Sequence, residues 1–251
     1  MPELVGFKVL KRPSDKPSKP LVSIVIPVYN EEGLLQTSIV NLVEDMKRFD
    51  FAYEIVITEN GSKDATVSIA HSLAERFPMI RVLSSSEPNY GRALKKGILE
   101  AHGTYVICDE IDITDTDFYR RALQKLVDEG YDLVVGSKLH PDARDKRPPF
   151  RKAATKVINL MLRVMLDFHG TDTHGLKAFN RERLLAVVNR CVVERDMFAS
   201  ELVIRAEREL RVTEIPVEIV EKRQPSINLV RRVPHVLKNI AKLYLAFRLN
   251  R

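Results

Sequence analysis

Two carboxylates stand two residues apart in Glu110-Ile111-Asp112, directly after the apolar run Tyr105-Val106-Ile107-Cys108. In an extended segment, residues i and i+2 point the same way, so Glu110 and Asp112 can face one ion together. A hard cation such as Mg2+ or Mn2+ takes oxygen ligands and is often shared between one or two carboxylates and a diphosphate. Such an ion offsets the charge that develops on a departing nucleotide diphosphate. A lone triplet of this kind is weak evidence, because solvated strand ends also carry such patterns. Asp109, Asp115 and Asp117 crowd the same turn, which leaves the ligand set open. Asp112 leads as a ligand, Glu110 follows, and Asp109 is expected to point away.

Two further constellations add weight. Pro27-Val28-Tyr29-Asn30-Glu31 follows the apolar run 21–26, and Glu59-Asn60-Gly61-Ser62 follows the run 54–58. Open parallel sheets bind ligands beyond the carboxyl ends of their strands, so one pocket could hold all three motifs. The chain has no GxGxxG after its first strand and no GxxxxGK[ST], which leaves hydride transfer and P-loop chemistry poorly supported.

These motifs need strands beneath them and helices between. The run Leu21–Pro27 is nearly continuous in apolar residues, as in a strand buried on both faces. From Glu31 onward, Leu34, Leu35, Ile39, Leu42, Val43, Met46 and Phe49 recur at helical spacing. The alternation repeats: strand 54–58, helix 65–77 with Asp64 as its N-cap, strand 80–83, helix 90–102, strand 104–109, helix 117–129, strand 132–136. This predicts an α/β fold, a mostly parallel central sheet with helices on both faces. A basic, proline-bearing stretch at 138–150 reads as a long surface loop. Helix 151–168, a short strand at 176–179, helices near 181–189 and 197–210, and strand 212–220 complete the domain. Met161 and Met165 are expected in the core.

The chain has 251 residues, a formal net charge of +6 and two cysteines. Cys108 and Cys191 lie far apart in apolar settings and are expected as buried thiols in a reducing cytoplasm. Residues 1–20 read as a polar leader without an apolar signal core, and no run reaches membrane-spanning length. His140, His169 and His174 have no metal-site spacing and read as structural. From Lys222 onward the chain carries Lys222, Arg223, Arg231, Arg232, Lys238, Lys242, Arg248 and Arg251 and no acid. Concentration of charge in this tail argues against a general nucleic-acid surface. It favours a basic amphipathic helix at 229–251 that lies on an anionic membrane or docks on a partner, with packing on the domain's own sheet as the alternative.

Taken in order, Val22-Ser23-Ile24-Val25-Ile26-Pro27-Val28-Tyr29-Asn30-Glu31, Glu59-Asn60-Gly61-Ser62, Asn89-Tyr90-Gly91-Arg92-Ala93-Leu94 and Gly103 with Glu110-Ile111-Asp112 resemble the motifs of the inverting family-two glycosyltransferases of GT-A fold. Gly136-Ser137-Lys138, Arg151 with Thr155, Asp172, Gly175 and Phe179, Glu201–Ala206, and Glu214–Val217 with Arg223 resemble the polyprenyl-phosphate sugar synthases, the dolichyl-phosphate mannose synthases among them. The resemblance covers roughly residues 21–228.

It implies a nucleotide-diphosphate sugar donor held by Pro27, Tyr29, Glu31, Glu59, Asn60, Gly61 and Arg92 together with Glu110 and Asp112, with Mg2+ or Mn2+ on the last two. It also implies a polyprenyl-phosphate acceptor whose phosphate meets Lys138, Arg151, Thr155 and Arg223, so that Asp112, Lys138, Arg151 and Arg223 carry the chemistry. The enzyme would then sit peripherally on the cytoplasmic membrane face. Glu59-Asn60 replaces the commoner Asp-Asp of the family, Glu110 replaces the first Asp of its DxD, and Lys138 replaces an Arg, which removes a bidentate fork. An anionic lipid phosphate needs positioning rather than a base. A hydroxyl acceptor needs one, and Asp172 and Glu201 are then the candidates. A transferase with a soluble or protein acceptor, and a silent nucleotide-sugar-binding protein, are the alternatives.

Overall fold

The computed structural model describes residues 21–145, 149–194, 197–219 and 229–249. The apolar runs become strands: β1 (Val22–Val28), β2 (Tyr53–Asn60), β3 (Ile80–Ser85), β4 (Tyr105–Cys108) and β5 (Leu133–Ser137). All seven residues of β1 and all five of β5 are buried, as expected of strands covered on both faces. Between them run α1 (Leu35–Met46), α2 (Thr66–Arg76), α3 (Tyr90–Glu100) and α4 (Thr116–Val127). Asn89 and Asp115 cap α3 and α4 by accepting from the amides of Arg92 and Phe118. Asp64 acts one residue early, accepting from Thr66 N at 3.0 Å, with Ala65 at the cap position of α2.

The second half departs from simple alternation. β6 (Arg144–Asp145) lies inside the stretch read as a loop, and α5 (Pro149–Leu166) starts two residues earlier than its periodicity suggests. Then come β7 (Lys177–Asn180), α6 (Arg181–Arg190), α7 (Phe198–Glu207), β8 (Val212–Pro216), β9 (Glu218–Ile219) and α8 (Leu229–Leu249). The strand expected at 212–220 is thus two pieces: β8 pairs with β5, and β9 pairs with β6 in a separate ribbon.

The main sheet has the order β3-β2-β1-β4-β7-β5-β8. β7 is antiparallel to both of its neighbours, and every other pairing is parallel. Alternate residues feed two cores. Ile24, Ile26, Ile55, Ile57, Ile107 and Val134 pack with residues of α1, α2 and α4 on one face. Val25, Val56, Val106, Leu133 and Val135 pack with residues of α3, α5, α6, α7 and α8 on the other. Truncating a fully buried Ile24 to Ala would cost roughly 2–5 kcal/mol.

The described part of the tail helix packs on the domain. Ile240, Leu243, Ala246 and Phe247 of α8 are buried in the core shared with α5 and α7, and the Phe247 ring lies under the guanidinium groups of Arg205 and Arg208 at 4.6 and 4.4 Å. Most of the apolar side of α8 described here is therefore spent on the domain, while Lys238, Lys242 and Arg248 face outward. Among the described residues, no helix is long and apolar enough to cross a membrane.

Candidate functional site

The loops after β1 and β2 are laced to each other. Asn30, at φ 52°, donates its amide to Ser62 Oγ at 3.0 Å, and its Oδ1 accepts from Lys63 N at 2.9 Å. Glu31 N donates to Thr66 Oγ1 at 2.6 Å. Glu59 and Asn60, expected just beyond the strand 54–58, lie inside β2 and are buried. Glu59 sits opposite Val28 in the strand register, and its carboxylate accepts from Ser62 N at 2.5 Å. Asn60 Oδ1 accepts from Asn89 N at 2.5 Å, tying this corner to α3. Gly61 takes φ 74°, and a Cβ there would come within 3.0 Å of the Glu87 backbone. Pro27 is buried within β1, and Tyr29 is exposed at the lip. Arg92 turns to Glu194, which it meets at 2.9 Å together with the Asn89 side-chain amide.

β4 stops at Cys108, opposite Val25, so the acidic triplet does not continue the strand. Ile113 N and Thr114 N both donate to Glu110 O, at 2.9 and 3.3 Å, and Thr114 has φ 46°. Glu110 and Asp112 therefore share a hydrogen-bonded turn, and their alignment does not come from strand alternation. Buried Ile111 anchors that turn between them. Burial raises the Glu110 carboxyl, and Asp112 and Asp172 add to this, whereas Lys138 and Lys177 oppose it. The Tyr90 hydroxyl is also pushed well up by burial, with the nearby Glu110, Asp109 and Asp112 carboxyls adding to it. Asp109 points inward, as expected. It is buried, accepts from the Tyr119 hydroxyl and from Glu110 N, and burial lifts its carboxyl to about 7.

Facing the triplet is a basic pair. Lys138 follows the last residue of β5. Its ammonium is 3.7 Å from Asp172 Oδ2, and its amide donates to the same oxygen at 3.2 Å. Asp172 is buried, which alone would raise it, but Lys138 and the His174 amide outweigh burial and hold it below the usual carboxylate range. Glu214 of β8 organises the segment that carries Asp172, accepting from the amides of Thr171 and Asp172 at 2.6 and 3.2 Å. Asn159 and Arg163 of α5 hold the carbonyls of Thr171 and Gly170. Thr155 lies one helical turn before Asn159. The Arg151 side chain and the whole of Arg223 lie outside the described residues.

Lys177 is the residue that sequence reasoning missed. Because β7 runs antiparallel, its first residue lands at the carboxyl edge of the parallel strands, opposite both Cys108 and Val135. The side chain is buried and donates to Gly175 O at 2.6 Å. Burial lowers its ammonium, while Cys108, Asp172 and Glu110 act to raise it. The available signal was a lysine inside an otherwise apolar strand, Leu176-Lys177-Ala178-Phe179.

Glu201 is not placed to act as a base. It is fully buried, its Oε2 accepts from the amides of Val192 and Val193 at 3.0 and 2.6 Å, and its Oε1 accepts from Arg205 Nε at 2.8 Å. Asp172, held low and hydrogen-bonded, is a poor base as well.

No group of three or more His, Cys, Asp or Glu side chains among the described residues forms a complete metal cage. Two half-buried carboxylates on one turn suit a divalent ion of the kind that keeps its remaining positions for diphosphate oxygens and water. Residues 110–112, 138, 172 and 177 thus form one mixed-charge mouth at the carboxyl edge of the sheet.

Comparison with known proteins adds lineage to this geometry. The glycosyl transferase family 2 pattern matches residues 23–188. Glycosyltransferase AglD of Haloferax volcanii is 29% identical over 218 residues, covering 84% of this chain and 35% of that protein. The chain thus spans about a third of that relative's length. Dolichyl-phosphate beta-glucosyltransferase ALG5D of Trichomonas vaginalis is 31% identical over 233 residues, covering 86% of this chain and 69% of that protein. Among solved structures, glucosyl-3-phosphoglycerate synthase from Mycobacterium tuberculosis, in complex with Mn2+, UDP and glucosyl-3-phosphoglycerate, superposes with a TM-score of 0.63. It is 18% identical, with 89% of this chain and 80% of that one covered, a likeness of fold alone.

Proposed function

We propose that this chain, which belongs to glycosyl transferase family 2, moves a sugar from a nucleotide-diphosphate sugar to a polyprenyl phosphate, with inversion at the anomeric carbon. The observation that carries this reading is the mixed-charge mouth: Glu110, which shares the turn after β4 with Asp112, acts electrostatically with Lys138 and Lys177, from the ends of β5 and β7. An acidic pair suits a metal-bridged diphosphate, and a basic pair suits a second, anionic reactant.

The donor nucleotide would lie over Pro27, Tyr29 and Glu31 and over Glu59, Asn60 and Gly61, with Arg92 at the rim. Glu110 and Asp112 would hold Mg2+ or Mn2+, which when bound supplies positive charge to the leaving diphosphate. Lys138, Arg151, Thr155 and Arg223 would guide the acceptor phosphate, whose oxygen attacks in line while Lys177 lies beneath. Such an oxygen is already ionised near neutral pH. The absence of an evident base at Asp172 or Glu201 therefore agrees with a phosphate acceptor better than with a hydroxyl. A relative named for dolichyl phosphate supports the same acceptor class. On this reading residues 21–228 would form the transferase domain, preceded by 1–20 and followed by the tail 229–251, of which Ile240, Leu243, Ala246 and Phe247 pack on the domain. The protein would work at the cytoplasmic face of a membrane.

The test is transfer of radiolabelled sugar from a panel of nucleotide sugars to a polyprenyl phosphate, with Mn2+, Mg2+ or chelator. Activity should need the metal and fall about 100-fold or more in Asp112→Ala. Unchanged turnover in that variant sinks the metal assignment. Transfer only to soluble acceptors sinks the lipid phosphate, and binding without transfer leaves a silent nucleotide-sugar binder.

A further inference from the structure

α5 buries only one side. Asn159, Leu162 and Leu166 face the domain, and the opposite side presents Phe150, Val157, Leu160 and Val164, which are 55, 58, 61 and 79% exposed. With exposed Ala153 between them, these residues recur at alternating steps of three and four, so they form one continuous stripe along the helix. A stripe of this length on a surface marks an interaction site. The residues beside it are basic: Lys156 and Arg163 are exposed, Lys152 is half-buried, and α5 contains no acid from Pro149 to Leu166.

We infer that this face of α5 is where the protein docks on an anionic lipid bilayer. This inference rests on the function proposed above and names the surface that brings the site to its lipid. A basic-flanked apolar stripe matches a negatively charged interface. The same basic flanks repel one another if two copies pair stripe to stripe in antiparallel fashion. α8, the element whose sequence pattern first suggests membrane contact, keeps most of its described apolar side inside the core. α5 is also joined to the site: its Asn159 and Arg163 hold the carbonyls of Thr171 and Gly170, next to Asp172 and Lys138. Docking through the outer face therefore sets the mixed-charge mouth at a fixed height and angle to the bilayer, where a lipid-borne phosphate emerges.

The test is flotation of the full chain with phosphatidylcholine vesicles, with and without phosphatidylglycerol. The triple variant Val157→Ser/Leu160→Ser/Val164→Ser would be compared with Leu245→Ser, an exposed change on α8. Thermal unfolding of each checks that the fold is kept. Wild type should float with the anionic vesicles and less so in high salt, the triple variant should lose at least about tenfold in partitioning, and Leu245→Ser should float like wild type. Equal flotation of the triple variant overturns the inference. So does a wild-type chain that ignores vesicles and instead forms a dimer dissolved by the triple variant. Flotation uses no donor, so a chain that floats but transfers nothing overturns the activity and supports the docking. Transfer to a short-chain, water-soluble isoprenyl phosphate should stay within about threefold in the triple variant while transfer to long-chain acceptor in vesicles falls.

Discussion

Cys108 and Lys177 stand opposite each other where β4 meets β7, and this pairing puts a buried ammonium beneath the acidic turn. The thiol is held protonated, pushed up to about 12 by burial with Lys177 opposing, so the charges that answer Lys177 are Glu110 and Asp172. Lys177→Met keeps most of the volume and removes the charge. Transfer should fall about 100-fold, with the larger effect on kcat if the charge acts on the departing diphosphate and on KM if it acts on binding alone. Steady-state kinetics beside a thermal melt separates either result from simple loss of fold.

Glu201 belongs to a different account. It clamps the amides of Val192 and Val193 and pairs with Arg205 inside the core. Glu201→Gln leaves a buried guanidinium without its carboxylate, which should cost about 3–5 kcal/mol in stability. Turnover per folded molecule should change less than threefold, roughly. A large loss of kcat in protein that denaturant titration shows to be fully folded would restore Glu201 as a candidate base.

Much of the fold was legible because its strands are buried on both faces and so read as unbroken apolar runs, as in Leu21–Pro27. What the sequence could not give was direction and ending. An isolated run such as Leu176–Phe179 looks the same whether it pairs parallel or antiparallel, so Lys177 could not be placed at the carboxyl edge. Likewise, β4 ends one residue before Asp109 because the Glu110 carbonyl captures two later amides, a local turn that alternation rules do not foresee. The tail was ambiguous for another reason: an amphipathic pattern reports that a helix covers something apolar without saying what, and for Ile240, Leu243, Ala246 and Phe247 of α8 that surface is the domain itself.

Gly175 marks a backbone contact that only close approach explains. A Cβ there would lie 2.0 Å from the Gly136 carbonyl oxygen. Gly175→Ala must push the loop bearing Asp172 away from β5, at a cost of roughly 1–3 kcal/mol. Because Lys138 follows β5 and contacts Asp172, activity should fall further than stability alone accounts for. Wild-type kinetics in a folded Gly175→Ala protein would show that the loop position is not critical.

Glu54 sets an acid limit on stability. Its carboxylate accepts from Ser23 Oγ and His102 N, each at 2.6 Å, and pairs with Arg81 at 2.8 Å. Ser23 Oγ in turn accepts from Gly103 N at 2.8 Å, so this cluster fixes the start of β4, the strand that leads to the acidic turn. Burial alone would raise the Glu54 carboxyl, but the bonds from Ser23, Arg81 and His102 outweigh it and leave it lowered. A carboxyl lowered by folding binds fewer protons in the native state than in the unfolded chain. Its contribution is therefore present above the unfolded value of about 4.3 and is lost as pH falls through the lower folded value. Glu54→Gln should destabilise by about 1–3 kcal/mol at pH 7, and the gap to wild type should close as pH drops below about 4. Urea titrations of both proteins at successive pH values read this directly, and a gap that stays constant down to acid unfolding would show that ionisation of Glu54 contributes nothing.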